Sequence, residues 1–257
     1  MLKFHGKTGD AMADKNYLHT AYANSADGTD GFTTVYPNLN LLKNTKSQSY
    51  TSTGTDRNVL ANIYKLDGST SDVIGKNVTI TYDFAITNSI GTWSGTINPT
   101  LGFGGSGKPV SNTSLSGSVK QTISITSLSG DSYSIAVIGL PAGTKVTIRN
   151  LKVELGSTAT PYMPSASEVT TADWPKYVGT YVDTNPASST DPNKYDWDEM
   201  KYRVYLDGTP VGGSKLLSFD LENLKAGTTY NVQVNQINGN DESDKSESVA
   251  FKTTLTK

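Results

Sequence analysis

Residues 78–86 read VTITYDFAI, and this stretch decides the fold of the middle of the chain. Large apolar side chains occupy every second position, and mostly small or polar side chains stand between them. Because successive side chains of a β-strand point to opposite faces, the alternation predicts a strand with one buried face and one solvent-facing face. Such a strand needs a second layer to cover its apolar side.

The same alternation continues toward the C-terminus of this region. Residues 119–125 and 133–137 both place apolar side chains at every second position. The turn-forming residues 129–131 stand between them, so the pattern predicts a β-hairpin.

The next strand, residues 144–155, changes phase midway. Val146 and Ile148 share one parity, whereas Leu151 and Val153 share the other, which predicts a β-bulge near Arg149 and Asn150. Regularly spaced strands separated by Gly, Ser and Asn turns across residues 38–164 predict a two-sheet sandwich and favour a jelly roll.

Proline and small polar residues divide the chain further. Residues 156–173 are rich in such residues and indicate a domain boundary. Residues 165–200 are turn-rich and predict a linker, and alternation resumes over residues 201–257, which predicts a second β-domain. The predicted fold class is therefore all-β.

The segment 1–37 is polar and has too few apolar residues to fold alone. It nevertheless carries more aromatic surface than a tag would. Two interpretations remain open: a flexible tail, or an extended arm that orders against a partner protein and buries its aromatic side chains on binding. In the second interpretation the docking residues are Tyr17, Tyr22, Phe32 and Tyr36.

Composition excludes several function classes. The chain has 257 residues, a formal net charge of −2, two histidines and no cysteine. The charge argues against nucleic-acid or membrane-surface partners, and no apolar run approaches the length of a membrane span. Without cysteine, and with both histidines near the N-terminus, thiol nucleophiles, histidine triads and multi-histidine metal centres are not expected.

Two weak catalytic motifs do not change this expectation. Residues 102–108 approach a phosphate-binding loop, but Pro109 stands where Ser or Thr would hold magnesium. A glycosidase needs two carboxylates at a fixed separation, whereas acids such as those of residues 241–247 lie in a hydrophilic, loop-like stretch. The chain is predicted not to be an enzyme.

Saccharide binding needs an exposed aromatic ring beside polar side chains. Trp93 is the best candidate, because it lies in a polar, glycine-flanked segment; the alternative is a core tryptophan at a strand start. Phe103, in its glycine-rich loop, is the second candidate, and the weaker candidates are Tyr50, Tyr64, Asp56, Arg57 and Asn58. No cofactor is required, although Asn, Asp and backbone carbonyls at loop ends would suit a structural calcium ion.

Four segments carry a resemblance to known proteins. The tract from Asp14 to Leu42, with DKNYL, AYANSADG and YPNLNLL, resembles minor structural proteins of tailed phages that infect Gram-positive cocci. Ile148–Gly156, running into Ala159–Tyr162, resembles the closing strand of their carbohydrate-binding jelly roll. PKYVGTY at residues 175–181, together with DPNKYDW at residues 191–197, is similar to a recurring phage tail element. LKAGTTY at residues 224–230 is similar to the tyrosine corner of fibronectin type III domains.

The resemblance is strongest to accessory baseplate proteins of lactococcal siphophages. It implies a virion protein of the tail baseplate with a docking arm (1–37), a carbohydrate-binding jelly roll (38–164), a linker or tail element (165–200) and a fibronectin type III-like domain (201–257). Its implied partners are host cell-wall or capsular polysaccharide and other baseplate or tail proteins. Two alternatives remain: a purely structural neck or tail decoration, in which Trp93 should be buried, and a polysaccharide depolymerase.

Overall fold

A computed structural model describes residues 3–6, 16–55 and 58–254. Across these residues the chain is all-β, with short 3₁₀ turns and no α-helix, so the predicted fold class is confirmed. The chain divides into two units. Residues 39–169 form the sandwich unit, and the described residues up to 38 together with those from 170 onward form the terminal unit.

The strands are numbered along the chain. The first three are β1 (Lys3–Gly6), β2 (Tyr17–Ala23) and β3 (Phe32–Thr33). The sandwich unit contains β4 (Leu42–Lys43), β5 (Ser47–Thr51), β6 (Asn58–Leu66), β7 (Asn77–Thr87), β8 (Ser94–Leu101), β9 (Lys108–Ser111), β10 (Ser116–Ser124), β11 (Ser132–Ile138) and β12 (Lys145–Leu155). The last strands are β13 (Tyr177–Asp183), β14 (Asp196–Glu199), β15 (Tyr202–Leu206), β16 (Thr209–Ser214), β17 (Ser218–Leu221), β18 (Thr229–Asn238), β19 (Asp241–Glu242) and β20 (Val249–Lys252).

The sandwich unit has two antiparallel sheets. One has the strand order β10-β7-β12-β5, and the other has the order β4-β6-β11-β8-β9. From β5 to β12 the chain changes sheet at every step except between β8 and β9, which is the arrangement that a jelly roll requires. The predicted two-sheet sandwich is confirmed.

Strand β7 behaves as its sequence predicts. Its five large apolar side chains face the core, and none is more than 4% exposed. The opposite face carries Thr81 and Asp83, which remain half-buried. The outer side of this sheet is therefore polar.

The predicted bulge in β12 is confirmed. The register between β12 and β7 shifts between Arg149 and Lys152. Asn150 has a φ of +51°, a left-handed conformation that asparagine tolerates better than most residues. The bulge presents Arg149 and Asn150 on the outer surface, where both are exposed.

The predicted hairpin between residues 119–125 and 133–137 is wrong. Strand β10 pairs with β7, whereas β11 lies between β6 and β8 in the other sheet. The Ile125 N–H donates to the Lys76 carbonyl at 2.9 Å, while the Asp131 carbonyl accepts from the Leu66 N–H at 2.7 Å. The connection thus crosses between sheets, which alternation alone does not reveal because it identifies strands and not their partners.

The terminal unit contains two larger antiparallel sheets and one parallel pair. The sheets are β14-β13-β2-β3 and β16-β15-β18, with β19 and β20 both paired to β18. Strand β1 runs parallel to β17. The apolar centre beneath β15 and β18 includes Val204, Leu221 and Val232.

This arrangement corrects the predicted arm and the predicted linker. Strand β2 pairs with β13 along its full length, from Tyr17 opposite Asp183 to Ala23 opposite Tyr177. Residues 17–23 are thus a sheet strand and not an extended arm, and residues 177–183 are their partner and not a linker. The pairing spans more than 150 residues of sequence, so local composition could not predict it.

One detail of the fibronectin-like prediction appears in the structure. The Lys225 N–H donates to the Tyr230 hydroxyl at 2.9 Å, which is the backbone contact expected of a tyrosine corner. The strand beside β17, however, is the parallel β1 from the chain's N-terminal segment. A fibronectin type III-like domain therefore stays a prediction for this part of the chain.

Candidate functional site

A shallow groove lies on the outer face of the sheet β10-β7-β12-β5. Its volume is about 340 Å³, near the lower end of the range for small-molecule sites. Its side chains offer acceptors, donors and one aromatic ring. Tyr82 also borders the groove, but its side chain is buried in the core; the other polar and aromatic lining residues are Thr81, Asp83, Ser118, Lys120, Asn150 and Tyr162.

Strand register brings these residues together. Asp83 of β7 pairs with Ser118 of β10 on one side and with Arg149 of β12 on the other. Two residues earlier, Thr81 pairs with Lys120 and with Lys152 in the same way. Two polar rows therefore run across three strands, because residues i and i+2 share a face.

The Asp83 carboxylate is held by its neighbours. The Ser118 hydroxyl donates to Asp83 Oδ1 at 2.5 Å, and Asn150 Nδ2 donates to Asp83 Oδ2 at 3.2 Å. Asn150 reaches Asp83 because the bulge displaces it from the regular register. The carboxylate is oriented before any ligand arrives and keeps lone pairs for further donors.

The aromatic wall of the groove is Tyr162, on the segment that follows β12. The segment is tied down at its start, where the Thr79 hydroxyl donates to the Gly156 carbonyl at 2.8 Å. Tyr162 is half-buried, and its hydroxyl lies 3.2 Å from Thr45 Oγ1. A fixed and partly exposed ring is suited to stacking on the apolar face of a sugar.

A buried polar cluster lies beneath this segment. Lys152 and Glu154 point away from the core and are covered by residues 160–161. Lys152 Nζ lies 3.4 Å from Glu154 Oε2 and donates to the Pro161 carbonyl at 2.6 Å. Glu154 accepts from the Thr160 N–H at 2.8 Å and from the Thr160 hydroxyl at 2.6 Å. The ion pair thus fixes the loop to the sheet.

Because Lys152 is buried, we expect the free energy of unfolding of the sandwich unit to depend on pH. Burial lowers its pKa from 10.5 to about 8, although Glu154 acts in the opposite direction. Above pH 8 the folded chain loses a proton that the unfolded chain keeps, so the free energy of unfolding should rise by roughly 1–2 kcal/mol between pH 7.5 and 9.5. Urea unfolding of the sandwich unit at several pH values measures this rise.

The control is Lys152→Met, in which the rise should disappear. Measurements stop below pH 10, because burial raises the pKa of Tyr82 to about 12 and its ionisation in the unfolded chain then lowers stability. An equal pH slope in wild type and Lys152→Met would contradict the prediction.

The aromatic residues predicted to bind saccharide lie elsewhere. Trp93 is 9% exposed, Phe103 1% and Tyr64 0%, and all three belong to the core cluster between the sheets. Phe103 packs edge-on against Tyr133 with ring centroids 5.0 Å apart. A ring that is already covered by the core has no face free to stack on a sugar, so the structure does not support these three residues as contacts.

The structure gives little support to the remaining residues that were predicted to bind saccharide. Asp56 and Arg57 lie outside the described residues. Asn58 opens strand β6, and Tyr50 is half-buried on the edge strand β5. The groove residues Asp83, Asn150 and Tyr162 were not predicted. Their only sequence signals were a charge on the polar face of β7, the phase change in β12 and an aromatic in the closing segment.

Two of the predicted docking aromatics are buried within the terminal unit. Tyr22 and Tyr36 are 6% and 7% exposed and meet edge-on, with ring centroids 4.8 Å apart. Tyr17 and Phe32 remain half-buried, and Phe32 contacts Trp197. Tyr22 and Tyr36 therefore stabilise the chain's own fold and do not offer a docking surface.

Tyr36 belongs to a buried network centred on Arg203 of β15. Arg203 is 2% exposed, stacks over the Trp174 ring at 4.6 Å and donates to the Tyr36 hydroxyl and to Glu242. Asn235 Nδ2 donates to Glu242 Oε2 at 2.6 Å. Burial lowers the pKa of Arg203, but Tyr36 and Glu242 outweigh burial and raise the pKa above its usual value. The guanidinium therefore stays charged. The network joins the N-terminal segment to the C-terminal sheet.

Within the part of the chain that the structure describes, no group of three or more His, Cys, Asp or Glu side chains is placed to hold a metal ion. In the same part, no helix is long and apolar enough to cross a membrane.

Comparison with known proteins then assigns the family. A family model described as the C-terminal domain of minor structural protein 5-like proteins (BppU-like) matches residues 175–233. The chain is 51% identical to a chain in the structure "tripod (BppUct-A-L) from the baseplate of bacteriophage Tuc2009", over 96% of this chain and 100% of that chain, with a TM-score of 0.79. The chain belongs to the family of phage baseplate tripod proteins. A comparison with curated proteins finds no match.

The family assignment confirms part of the predicted function. This baseplate protein is a component of the virion, located in the tail baseplate, as the resemblance to lactococcal phage proteins predicted. The solved relative comes from a tripod, which supports association with other baseplate proteins.

Proposed function

We propose that this baseplate protein binds a host cell-surface saccharide in the groove of its sandwich unit. The observation that carries the proposal is the oriented Asp83 carboxylate beside the half-buried Tyr162 ring. A carboxylate accepts hydrogen bonds from sugar hydroxyls, and the ring offers a surface for the sugar's C–H face. The sheet supplies both on a rigid scaffold.

The groove favours hydroxyl-bearing ligands without a negative charge at the Asp83 position. A ligand carboxylate or phosphate placed there would meet the Asp83 charge. Lys120 of β10 and Asn150, which lies beside Asp83, supply donors in the same groove. A neutral hexose unit of a cell-wall polysaccharide matches this set.

Weak binding at one groove would be sufficient in a virion. A baseplate that carries several copies engages a repetitive polysaccharide at many points, and avidity multiplies a modest affinity. The protein would thereby assist adsorption of the phage without a catalytic step. A hydrolytic depolymerase requires two carboxylates, whereas Asp83 is the single carboxylate among the described residues that line the groove.

A purely structural role is the second candidate. The burial of Trp93 is the observation that favours it, since an exposed Trp93 was expected of a saccharide-binding protein. In this alternative the protein contacts other baseplate proteins, and the groove has no saccharide ligand.

Two substitutions test the proposed groove. Asp83→Asn removes the charge while keeping the shape, and Tyr162→Ala removes the ring. Each should weaken binding about tenfold or more, because charge-assisted hydrogen bonds and aromatic contacts contribute about 1–3 kcal/mol each. Titration of the multimerised full chain with purified lactococcal cell-wall polysaccharide measures the affinity.

The matched control is Lys145→Ala, an exposed residue on the same face of β12 but outside the groove. It should bind like wild type. If multimerised wild type does not bind any host polysaccharide, the structural role is the better conclusion. If it binds but tolerates both groove substitutions, the saccharide site lies elsewhere.

A further inference from the structure

The segment that carries Tyr162 is held to the sheet by buried polar side chains. Lys152, Glu154 and Thr160 are all buried, and they form a closed set of hydrogen bonds. Lys152 Nζ donates to Thr160 Oγ1 at 2.5 Å, and the same hydroxyl donates to Glu154 Oε2 at 2.6 Å. The Thr160 hydroxyl thus mediates between two opposite charges.

A second anchor holds the other side of Tyr162. Asn40 Nδ2 donates to Thr45 Oγ1 at 2.9 Å and to the Leu151 carbonyl at 2.7 Å. Asn40 Oδ1 accepts from the Val153 N–H at 3.0 Å. The Thr45 hydroxyl, which lies against the Tyr162 hydroxyl, is therefore itself fixed to β12.

These anchors converge on the groove. Thr160 precedes Tyr162 by two residues, and Lys152 is in register with Thr81, which lines the groove. A buried ion pair by itself is weak evidence for stability, because desolvation offsets much of its attraction. The ion pair matters here because its hydrogen bonds hold the loop of residues 160–161 in one conformation.

We propose that Thr160, held between Lys152 and Glu154, is a positioning residue that sets the Tyr162 ring for saccharide binding. This inference rests on the proposed function of the groove. It assigns Thr160 no contact with the ligand. A ring held in place loses less conformational freedom on binding, so the affinity depends on the anchors as well as on the ring.

The test compares Thr160→Val with Thr160→Ser in the full chain. Valine keeps the shape and the backbone N–H but removes the hydroxyl, whereas serine retains it. Thr160→Val should weaken binding to the polysaccharide about tenfold, and Thr160→Ser should restore it to within about twofold. The stability control is Ser52→Ala, which removes the buried Ser52 hydroxyl that donates to the Leu140 carbonyl at 3.1 Å.

A readout independent of ligand separates this inference from the proposed function. With fluorotyrosine at position 162, the ¹⁹F signal of Thr160→Val should broaden or shift, while that of Ser52→Ala should not. An unchanged signal in Thr160→Val overturns the positioning role. Retained affinity in Thr160→Val, with affinity lost in Tyr162→Ala, also overturns it while leaving the groove intact. Wild type that binds no polysaccharide overturns the proposed function even if the ¹⁹F signal responds.

Discussion

Replacing Arg203 by methionine is expected to lower the free energy of unfolding of the terminal unit by roughly 3–5 kcal/mol. Methionine approximates the aliphatic part of arginine but leaves the Glu242 carboxylate, which is only 14% exposed, without its cation. It also removes a donor from the buried Tyr36 hydroxyl and a cation from the Trp174 face. Hydrogen exchange of the β15 and β18 amides in increasing denaturant measures the loss in this unit.

The control for Arg203 is Lys201→Met, two residues earlier on the chain. Lys201 pairs with Glu199 at 2.9 Å, but both side chains are largely exposed. Exposed pairs contribute little because water and salt screen them, so this variant should resemble wild type. Equal effects of the two substitutions would show that the Arg203 network does not stabilise the unit.

Truncation of Trp93 to alanine is expected to destabilise the sandwich unit by roughly 3–5 kcal/mol. The indole lies in the core between the sheets, so its removal leaves a cavity that rigid strands cannot close. Once the fraction of unfolded protein is accounted for, affinity for polysaccharide should be unchanged. Urea unfolding combined with titration of the folded variant separates the two effects.

Trp93→Phe refines this prediction. The indole Nε1 has no hydrogen-bond partner among the described residues, so phenylalanine loses volume without losing a bond. Trp93→Phe should therefore lower the free energy of unfolding clearly less than Trp93→Ala does. A stable Trp93→Ala protein that has lost binding would instead identify Trp93 as a ligand contact and contradict its assignment to the core.

The local features of the sandwich were predictable because they depend on short-range physics. Alternation in β7 fixes which side chains are buried, since a strand has a period of two residues. The phase change in β12 required a bulge near Asn150, and the structure has one. The Tyr230 contact with Lys225 likewise involves residues five apart.

The candidate site was less predictable because its members come from distant parts of the sequence. Asp83, Ser118 and Asn150 lie on three strands, and only their register makes them neighbours. Exposure of the aromatic rings is also not fixed by local context. A polar, glycine-rich context favoured Trp93 and Phe103 as exposed rings and left a core position open for Trp93, and the structure buries both rings in the core.

The sequence by itself determined the all-β class, the faces of the principal strands and the family, because side-chain alternation and motif identity are local properties. Only the tertiary structure decided that residues 17–23 pair with residues 177–183, and that β10 and β11 belong to different sheets. It also decided that the groove is lined by Asp83, Asn150 and Tyr162. Strand pairing is a choice among many partners of similar local pattern, and that choice depends on how the whole chain buries its apolar faces.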